Sequence, residues 1–317
     1  MAYISGEQAN IIRQEVYEES LLKAYDDWLV GRLLFNDRTG AFPDGDTLEV
    51  TKTGDRAVSD YTEDQPVDFS KMATSRVQLT VDTYLQDGFY ITDKLAQDSH
   101  QAEAFWSENV RKSGIAFERR METDVFKTCN EGQTSGDLNL INGQPHRFVA
   151  SGTNQVITIG DIIQLKAAFD KALVPEQNRV LFIDPLVEAQ LNALYEYTSP
   201  VQFNNDFAGI VNTGFGDRLN FRTNIMGFNI AISHHLPKIA SETIDSVSVT
   251  NGVACVAMSM ASADDMPVHG VMRQSVKAEM ERNGRMKRDE WSATARYGFG
   301  LQRAESLGII LAAEALA

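Results

Sequence analysis

The sequence predicts an α+β fold, and three stretches predict it. Residues 93–129 run without proline and with one glycine, Gly114, and carry an apolar stripe at helical spacing. Residues 77–82 and 291–301 alternate apolar and polar, the period of a half-buried strand. Residues 158–194 read as helix, short apolar strand, helix. A chain of 317 residues has room for one large domain or two ordinary ones.

In chain order, residues 7–35 come first. Ile12, Val16, Leu22, Tyr25, Leu29 and Leu33 recur at helical spacing among acidic residues. Such a helix packs either on its own domain or, as an arm, on a neighbour. Residues 36–75 change character, with turn signals around Asn36, Phe42, Thr53 and Asp64 in quick succession. The β-type stretch Thr47–Thr53 and the alternating stretch Arg76–Tyr84 predict a two-stranded hairpin with a polar tip. A lone hairpin is marginal in water and needs something to lie on. It is either part of an ordinary meander or an arm resting on another subunit.

The segment 93–129 follows. Leu95, Ala102, Trp106, Val110, Phe117, Met121 and Val125 form its stripe, Thr92 or Asp93 is the N-cap, and Gly132 offers the stop. As one helix it spans roughly 50 Å, the dimension of a strut. The alternative is two shorter helices broken near Gly114.

Residues 131–156 are a polar, glycine-bearing connection and a candidate domain boundary. Thr158 then opens a helix with Ile162, Leu165, Phe169 and Leu173 as its buried stripe, ended by Pro175. Val180–Ile183 is a strand apolar on both faces. Asp184 caps a second helix with Pro185 at its first position. Residues 198–222 form a long loop rich in Asn, Gly and Phe, and loops of that length are often functional. Strands return at 227–233 and 253–258. The alternation Trp291, Ala293, Ala295, Tyr297, Phe299, Leu301 leads to a last buried strand at 307–311.

Composition is that of a globular protein, 43% hydrophobic and 23% charged, with a net charge of −15. Acidity argues against tight wrapping of nucleic acid, which relies on cations displacing counterions from phosphates. It also makes self-association depend on salt screening. The two cysteines, Cys129 and Cys255, give no disulfide framework and fit a reducing compartment. Met1–Glu7 lacks the basic, then apolar start of a signal peptide, and Leu307–Ala313 is too short to span a bilayer. Synthesis in the cytosol is expected, with no membrane partner.

A search for chemistry finds little. The adjacent pair His234 and His235 points to opposite faces of a strand and makes a poor metal site. His100, His146 and His269 are isolated. Gly214–Gly216 lacks the rest of a dinucleotide or P-loop motif. Asp264 and Asp265 could act as paired carboxylates, but an acidic pair before Met266-Pro267 reads better as a surface turn. The basic run Arg282, Arg285, Lys287, Arg288 is interleaved with Glu279, Glu281, Asp289 and Glu290, the pattern of a salt-bridged surface rather than a nucleic-acid site. Arg119 and Arg120 are expected to pair with Glu118 and Glu122. Trp28, Trp106 and Trp291 read as packing residues. No catalytic residue, cofactor or metal is expected.

The order of elements is informative: N-terminal arm, long hairpin, one very long helix, α/β unit, returning strand. Leu79-Thr-Val-Asp-Thr-Tyr84 and Phe89-Tyr-Ile-Thr-Asp93, leading directly into the long helix, resemble the end of an extended loop entering a spine helix. Ala167-Ala-Phe-Asp-Lys-Ala-Leu-Val-Pro175 followed by Arg179-Val-Leu-Phe-Ile-Asp-Pro185 is similar to the axial helix–strand–helix of the same family. Arg296-Tyr-Gly298 and Arg303-Ala-Glu305 resemble its closing strand, with Ala304 where many relatives have proline. The family is the major capsid protein of tailed bacteriophages, of the Hong Kong 97-like fold, and the resemblance covers nearly the whole chain.

The resemblance implies residues 1–45 as N-terminal arm, 46–92 as extended loop, 93–156 with 276–317 as peripheral domain, and 157–275 as axial domain. It implies pentamers and hexamers of an icosahedral head enclosing double-stranded DNA without sequence-specific binding. The 198–222 loop would meet its copies around capsomer centres. Portal, scaffolding and cement proteins are the implied partners. No heptad-like scaffold segment stands at the amino end, so scaffolding, where needed, would come from a separate protein. The competing readings are an encapsulin-like compartment, a hydrolase built on Asp264 and Asp265, and a decoration or tail protein.

Overall fold

The computed structural model describes residues 29–314 apart from 43–44, 55, 57, 61, 65, 67–68, 70, 73, 99–101 and 198–220. The helix expected over 7–35 lies outside the described residues except at its end, as do Trp28, His100 and Gly214–Gly216. At that end residues Gly31–Leu33 form a single 3-10 turn instead of α-helix, and Leu33 is exposed while Leu34 is buried. The tighter turn swings Leu34 and Phe35 into the core that the α-helical stripe would have given to Leu33.

Short strands precede the helices. They are a two-residue strand β1 (Asn36–Asp37) and, as a pair, the hairpin strands β2 (Thr47–Thr53) and β3 (Thr74–Thr80), whose register pairs Thr47 with Thr80 and Val50 with Val77. The expected hairpin is present, but its second strand ends at Thr80. Tyr84 belongs to the next strand, β4 (Thr83–Thr92), which joins a different sheet.

The long helical segment is α1 (Asp93–Asp98) and α2 (Ala102–Glu131). Gly114 does not break it, and the 30 residues of α2 span about 45 Å at 1.5 Å per residue. Thr92 Oγ1 accepts the Leu95 amide at 3.4 Å, as its capping role requires. Leu95 is exposed, against expectation. The stripe meets apolar partners only from Trp106 onward, where β4 lies beneath it.

The connection that follows holds the small pair β5 (Leu140–Ile141) and β6 (Gln144–Pro145), then the buried strand β7 (Arg147–Val149). Next come α3 (Ile159–Lys171), β8 (Arg179–Ile183) and α4 (Pro185–Tyr197). Thr158 caps α3 in a reciprocal box, its side chain accepting the Asp161 amide while Asp161 Oδ2 accepts the Thr158 amide at 2.7 Å. Ile162, Leu165 and Phe169 are buried as predicted, but Leu173 is 88% exposed. The helix stops at Lys171, two residues short of what the stripe needs. Leu173 takes the left-handed position of a Schellman closure (φ 59°), the Val174 amide donates to the Phe169 carbonyl at 3.0 Å, and Val174 takes the buried place. Asp184 Oδ1 accepts the Leu186 amide at 2.9 Å and starts α4.

The strands β9 (Phe221–Ile225), β10 (Phe228–Ile232), β11 (Lys238–Ile244), β12 (Val247–Ser259), β13 (Val268–Asn283), β14 (Arg288–Leu301) and β15 (Leu307–Ala313) complete the chain. Phe221 and Arg222, expected at the end of a loop, begin β9, and the remainder of that loop lies outside the described residues.

Two sheets organise these strands. A seven-stranded mixed sheet runs β7-β15-β12-β8-β10-β9, with β11 paired to β12. A four-stranded sheet runs β1-β13-β14-β4. The seven-stranded sheet is covered on both faces, which is why its strands read as continuous apolar runs. Val180 and Phe182 of β8 point toward Met121, Val125 and Phe126 of α2. Leu181 and Ile183 point toward Ile162, Leu165 and Phe169 of α3. Gly308 in β15 permits that close approach, since a Cβ there would stand 2.4 Å from Leu165 Cδ1. The four-stranded sheet is covered on one face, where Trp291, Ala293 and Ala295 pack under Phe117 of α2.

Candidate assembly surfaces

The side chains considered for chemistry are scattered. His234 and His235 follow the end of β10. Asp264 and Asp265 form a surface turn, with Asp264 paired to Arg38 at 2.9 Å and Asp265 accepting from Ser262 Oγ at 2.6 Å. Both thiols are buried, and burial pushes Cys129 and Cys255 up to about 12, so neither ionises near neutrality. His146 and His269 are buried, and burial lowers both. His269 falls to about 4, with the Arg38 charge adding to the effect. No group of three or more His, Cys, Asp or Glu residues stands in metal-binding proximity among the described residues. No helix among them is long and apolar enough to cross a membrane.

What the structure does concentrate is projecting, half-covered surface. The β2–β3 hairpin is rooted by Phe42, Leu79, Val81 and Val271, a buried apolar knot. Gly298 of β14 lets the chain pass at that root, because a Cβ there would sit 2.2 Å from the Thr80 carbonyl oxygen. Lys52 pairs with Glu305 at 2.6 Å and holds one flank of the hairpin to the body. Beyond the strands, Val58 is 99%, Phe69 91% and Met72 72% exposed. Three large apolar side chains standing in water at the end of a projection mark a contact surface.

The spine helix and the four-stranded sheet make the second projection. Phe89 stacks on Trp291 and meets Trp106 edge-on, both at 4.9 Å, so Trp106 and Trp291 are packing residues as the sequence predicts. There the β13–β14 hairpin and β4, which pairs with β14 as far as Arg288, form a three-stranded blade. The predicted salt-bridged surface is there: Arg282 pairs with Asp93 and Asp289, Arg288 with Glu290, and Lys277 with Glu279. The Arg282 hydrogen bonds hold the Asp93 carboxyl below its usual range. In β13 Val276, Ala278 and Met280 alternate with Lys277, Glu279 and Glu281, yet Val276 and Met280 stay exposed, so neither face of this part of the strand belongs to the core.

The pairing expected among Arg119, Arg120, Glu118 and Glu122 is corrected. Glu118 pairs with Arg32 at 3.5 Å and Arg120 with Asp124 at 3.1 Å. Glu122 is fully buried and faces inward, away from both arginines, because its position on α2 falls beside the buried Met121 and Val125. One buried ion pair is not marked in the sequence. Arg147 of β7 and Glu242 of β11 are both buried and joined in a fork of 2.8 and 2.6 Å. Burial raises the Glu242 carboxyl. The Arg147 guanidinium and the Gly136 amide outweigh that and hold it below the usual carboxylate range.

The family model for phage capsid protein matches residues 74–311, from the hairpin's second strand to the last strand of the seven-stranded sheet. The chain belongs to the phage capsid protein family. Solved capsid chains share its architecture. The cyanophage P-SCSP1u capsid structure is 17% identical with a TM-score of 0.72, covering 99% of this chain and 97% of that one. The Mycobacterium phage Che8 structure is 17% identical with a TM-score of 0.69, covering 95% and 97%. The bacteriophage PhiM1 mature capsid is 14% identical with a TM-score of 0.69, covering 96% and 93%. No curated protein matches the chain. At these identities the structural likeness speaks for the fold, the Hong Kong 97-like fold expected from the resemblance, and the family match speaks for the role. The role is structural: a phage capsid protein, a component of the virion and of a shell of many copies.

Proposed function

We propose that this phage capsid protein forms the pentamers and hexamers of an icosahedral head that encloses double-stranded DNA. The exposed hairpin carries this reading. Val58, Phe69 and Met72 project from a two-stranded element with an unpaired edge on each side. That arrangement is an aggregation hazard in a lone subunit and becomes stable when a neighbouring copy covers it. The chain performs no catalysis in this scheme. Its net charge of −15 keeps packaged DNA from binding the wall tightly. Synthesis in the host cytoplasm, and partnership with portal, scaffolding and cement proteins, belong to the same proposal.

The domain division follows the resemblance: arm 1–45, extended loop 46–92, peripheral domain 93–156 with 276–317, axial domain 157–275. Sheet membership favours moving three edges. Strands β7 and β15 lie in the seven-stranded sheet with the axial segment, and β13 enters the four-stranded sheet already at Val268.

The test is electron microscopy and analytical ultracentrifugation of the expressed chain, alone and with a candidate scaffolding protein, across salt concentrations. Closed shells favoured by screening are expected. A discrete monomer or dimer under every condition overturns the reading. Shells that enclose an enzyme rather than a genome favour the encapsulin-like alternative.

A further inference from the structure

One stretch of β13 has an open outer edge. Before it, β1 pairs with His269 and Gly270, the Met272 amide donates to Thr39 Oγ1 at 3.0 Å, and Arg273 Nη1 donates to the Phe42 carbonyl at 3.2 Å. After it, Asn283 ends the strand and the chain turns into β14. From Gln274 to Asn283, β14 takes one edge and no strand among the described residues takes the other. Every residue from Ser275 to Arg282 is exposed. An open edge is a template for another strand, and charged side chains usually blunt it. Here the charges are matched. Residues 274–283 hold two cations, Lys277 and Arg282, and two carboxylates, Glu279 and Glu281, so the edge is neutral in a chain of net charge −15. Lys277 already meets Glu279 at 2.6 Å.

The order of these residues is self-complementary. Opposed side chains of an antiparallel pair share a face. When the strand meets a second copy with Ala278 opposite Ala278, Lys277 of each copy faces Glu279 of the other, and Val276 faces Met280. Centring the pair on Lys277 or on Glu279 sets that residue against itself, like charge on like charge. Centring it on Met280 opposes Glu279 to Glu281. Ala278 is also the midpoint between Arg273, held by the preceding chain, and Asn283, where the strand ends. Val276 and Met280, 37% and 67% exposed, would then cover one another on the face where Met280 lies beside the buried Trp291.

We propose that residues 276–280 of β13 pair with the same residues of a second copy across a two-fold axis through Ala278, joining two four-stranded sheets edge to edge. Such a contact is isologous, and a closed icosahedral shell has two-fold axes on which to place it. The register of β13 against β14 shifts between Gln274 and Lys277, which keeps the regular run short. About five residues a side bury well under the roughly 1,200 Å² of a standard interface. The contact therefore locks copies that a shell already holds together, and that use rests on the shell reading.

The single substitutions Lys277→Cys, Ala278→Cys, Glu279→Cys and Met280→Cys in the full chain test it, by mild oxidation of shells and of the concentrated soluble chain. Cys129 and Cys255 are buried and stay out of the reaction. Opposed residues of an antiparallel pair have Cα atoms about 4.5–5.5 Å apart, within disulfide reach, whereas residues two places out of register lie beyond about 7 Å. Ala278→Cys gives covalent homodimers about tenfold faster or more than the other three. Adding Lys277→Glu or Glu279→Lys to Ala278→Cys abolishes the dimer. An equal mixture of those two charge variants regains it, because each finds opposite charge only on the other chain, a result that breaking the pair inside one subunit cannot give. Equal rates at all four positions, or no dimer of Ala278→Cys in shells and in solution alike, overturn the pairing. Normal shells in which Ala278→Cys stays monomeric overturn it and leave the shell reading standing. Dimers of Ala278→Cys from a chain that never closes into shells support the pairing and overturn the shell reading. Amides of 274–283 that become protected in shells without that dimer assign the edge to a different strand, and overturn the two-fold pairing.

Discussion

The seven-stranded sheet and the β2–β3 hairpin are built from the same kinds of residue in opposite circumstances. Every residue of β8 and β15 is buried, with helices on one side and the spine on the other. In β2 no residue is fully buried, and in β3 only Leu79 is. The first region completes its own core. The second is rooted at one end and leaves Val58, Phe69 and Met72 uncovered by the described residues. The difference separates what folds the subunit from what builds the shell, and mutations should separate the two in the same way.

The largest effect is expected in the sheet. Phe169→Ala removes a fully buried ring that meets Phe228 at 5.4 Å and lies beneath the Arg179 guanidinium. It should cost about 3–5 kcal/mol in urea unfolding of the unassembled subunit. A cost under about 1 kcal/mol would show that this region is not the self-sufficient part.

Arg147→Met should be comparable, about 3–5 kcal/mol, because it strands Glu242 as a buried unpaired charge. The pH dependence has a definite sign. The Glu242 carboxyl is depressed in the folded state, so its pair with Arg147 contributes above the unfolded value of 4.5 and is lost as pH falls through the folded one. In Arg147→Met that acid-side loss of stability should flatten. An unchanged acid limb would assign the acid sensitivity elsewhere.

A smaller effect is expected at the hairpin's root. His269 is buried beside Gly300 with neither ring nitrogen hydrogen-bonded. Its lowered value of about 4 against 6.5 means that the unfolded chain takes up the proton first, so stability is full above pH 6.5 and falls toward pH 4. His269→Leu should remove this decline, visible as a smaller shift in melting temperature between pH 7 and pH 5.

The smallest effect belongs to the hairpin's flank. Lys52→Ala breaks a half-exposed pair with Glu305 and should change subunit stability by less than about 1 kcal/mol. It should nevertheless speed exchange at the amides of β2. If it also lowers subunit stability by several kcal/mol, the hairpin is part of the fold and the contrast between the regions fails.

Legibility followed the same contrast. The strands at 180–183 and 307–311 and the stripe from Trp106 to Val125 were readable because burial on a rigid element imposes a period on the sequence. The end of α3 was misread at Leu173, since a Schellman closure normally announces itself with glycine and here a leucine adopts the left-handed turn. The blade formed by β13 does alternate apolar and charged residues from Val276 to Glu281, but the apolar ones stay exposed, so its period reports no core face. The buried pairing of Arg147 with Glu242 spans 95 residues, a separation at which no local pattern carries information.

By itself, then, the sequence determined the hairpin, the long helix through Trp106 to Val125, the helix–strand–helix at 158–194 and the closing strands, in that order, because these depend on local periodicity and on turn chemistry. Only the tertiary structure decided that β7 and β15 close one sheet while β4 and β13 close another, that Glu122 turns inward to hold the chain at Val30, and that the hairpin's apolar end finds no cover among the described residues. Those outcomes are set by which distant surfaces meet, and distant surfaces leave no period in the chain.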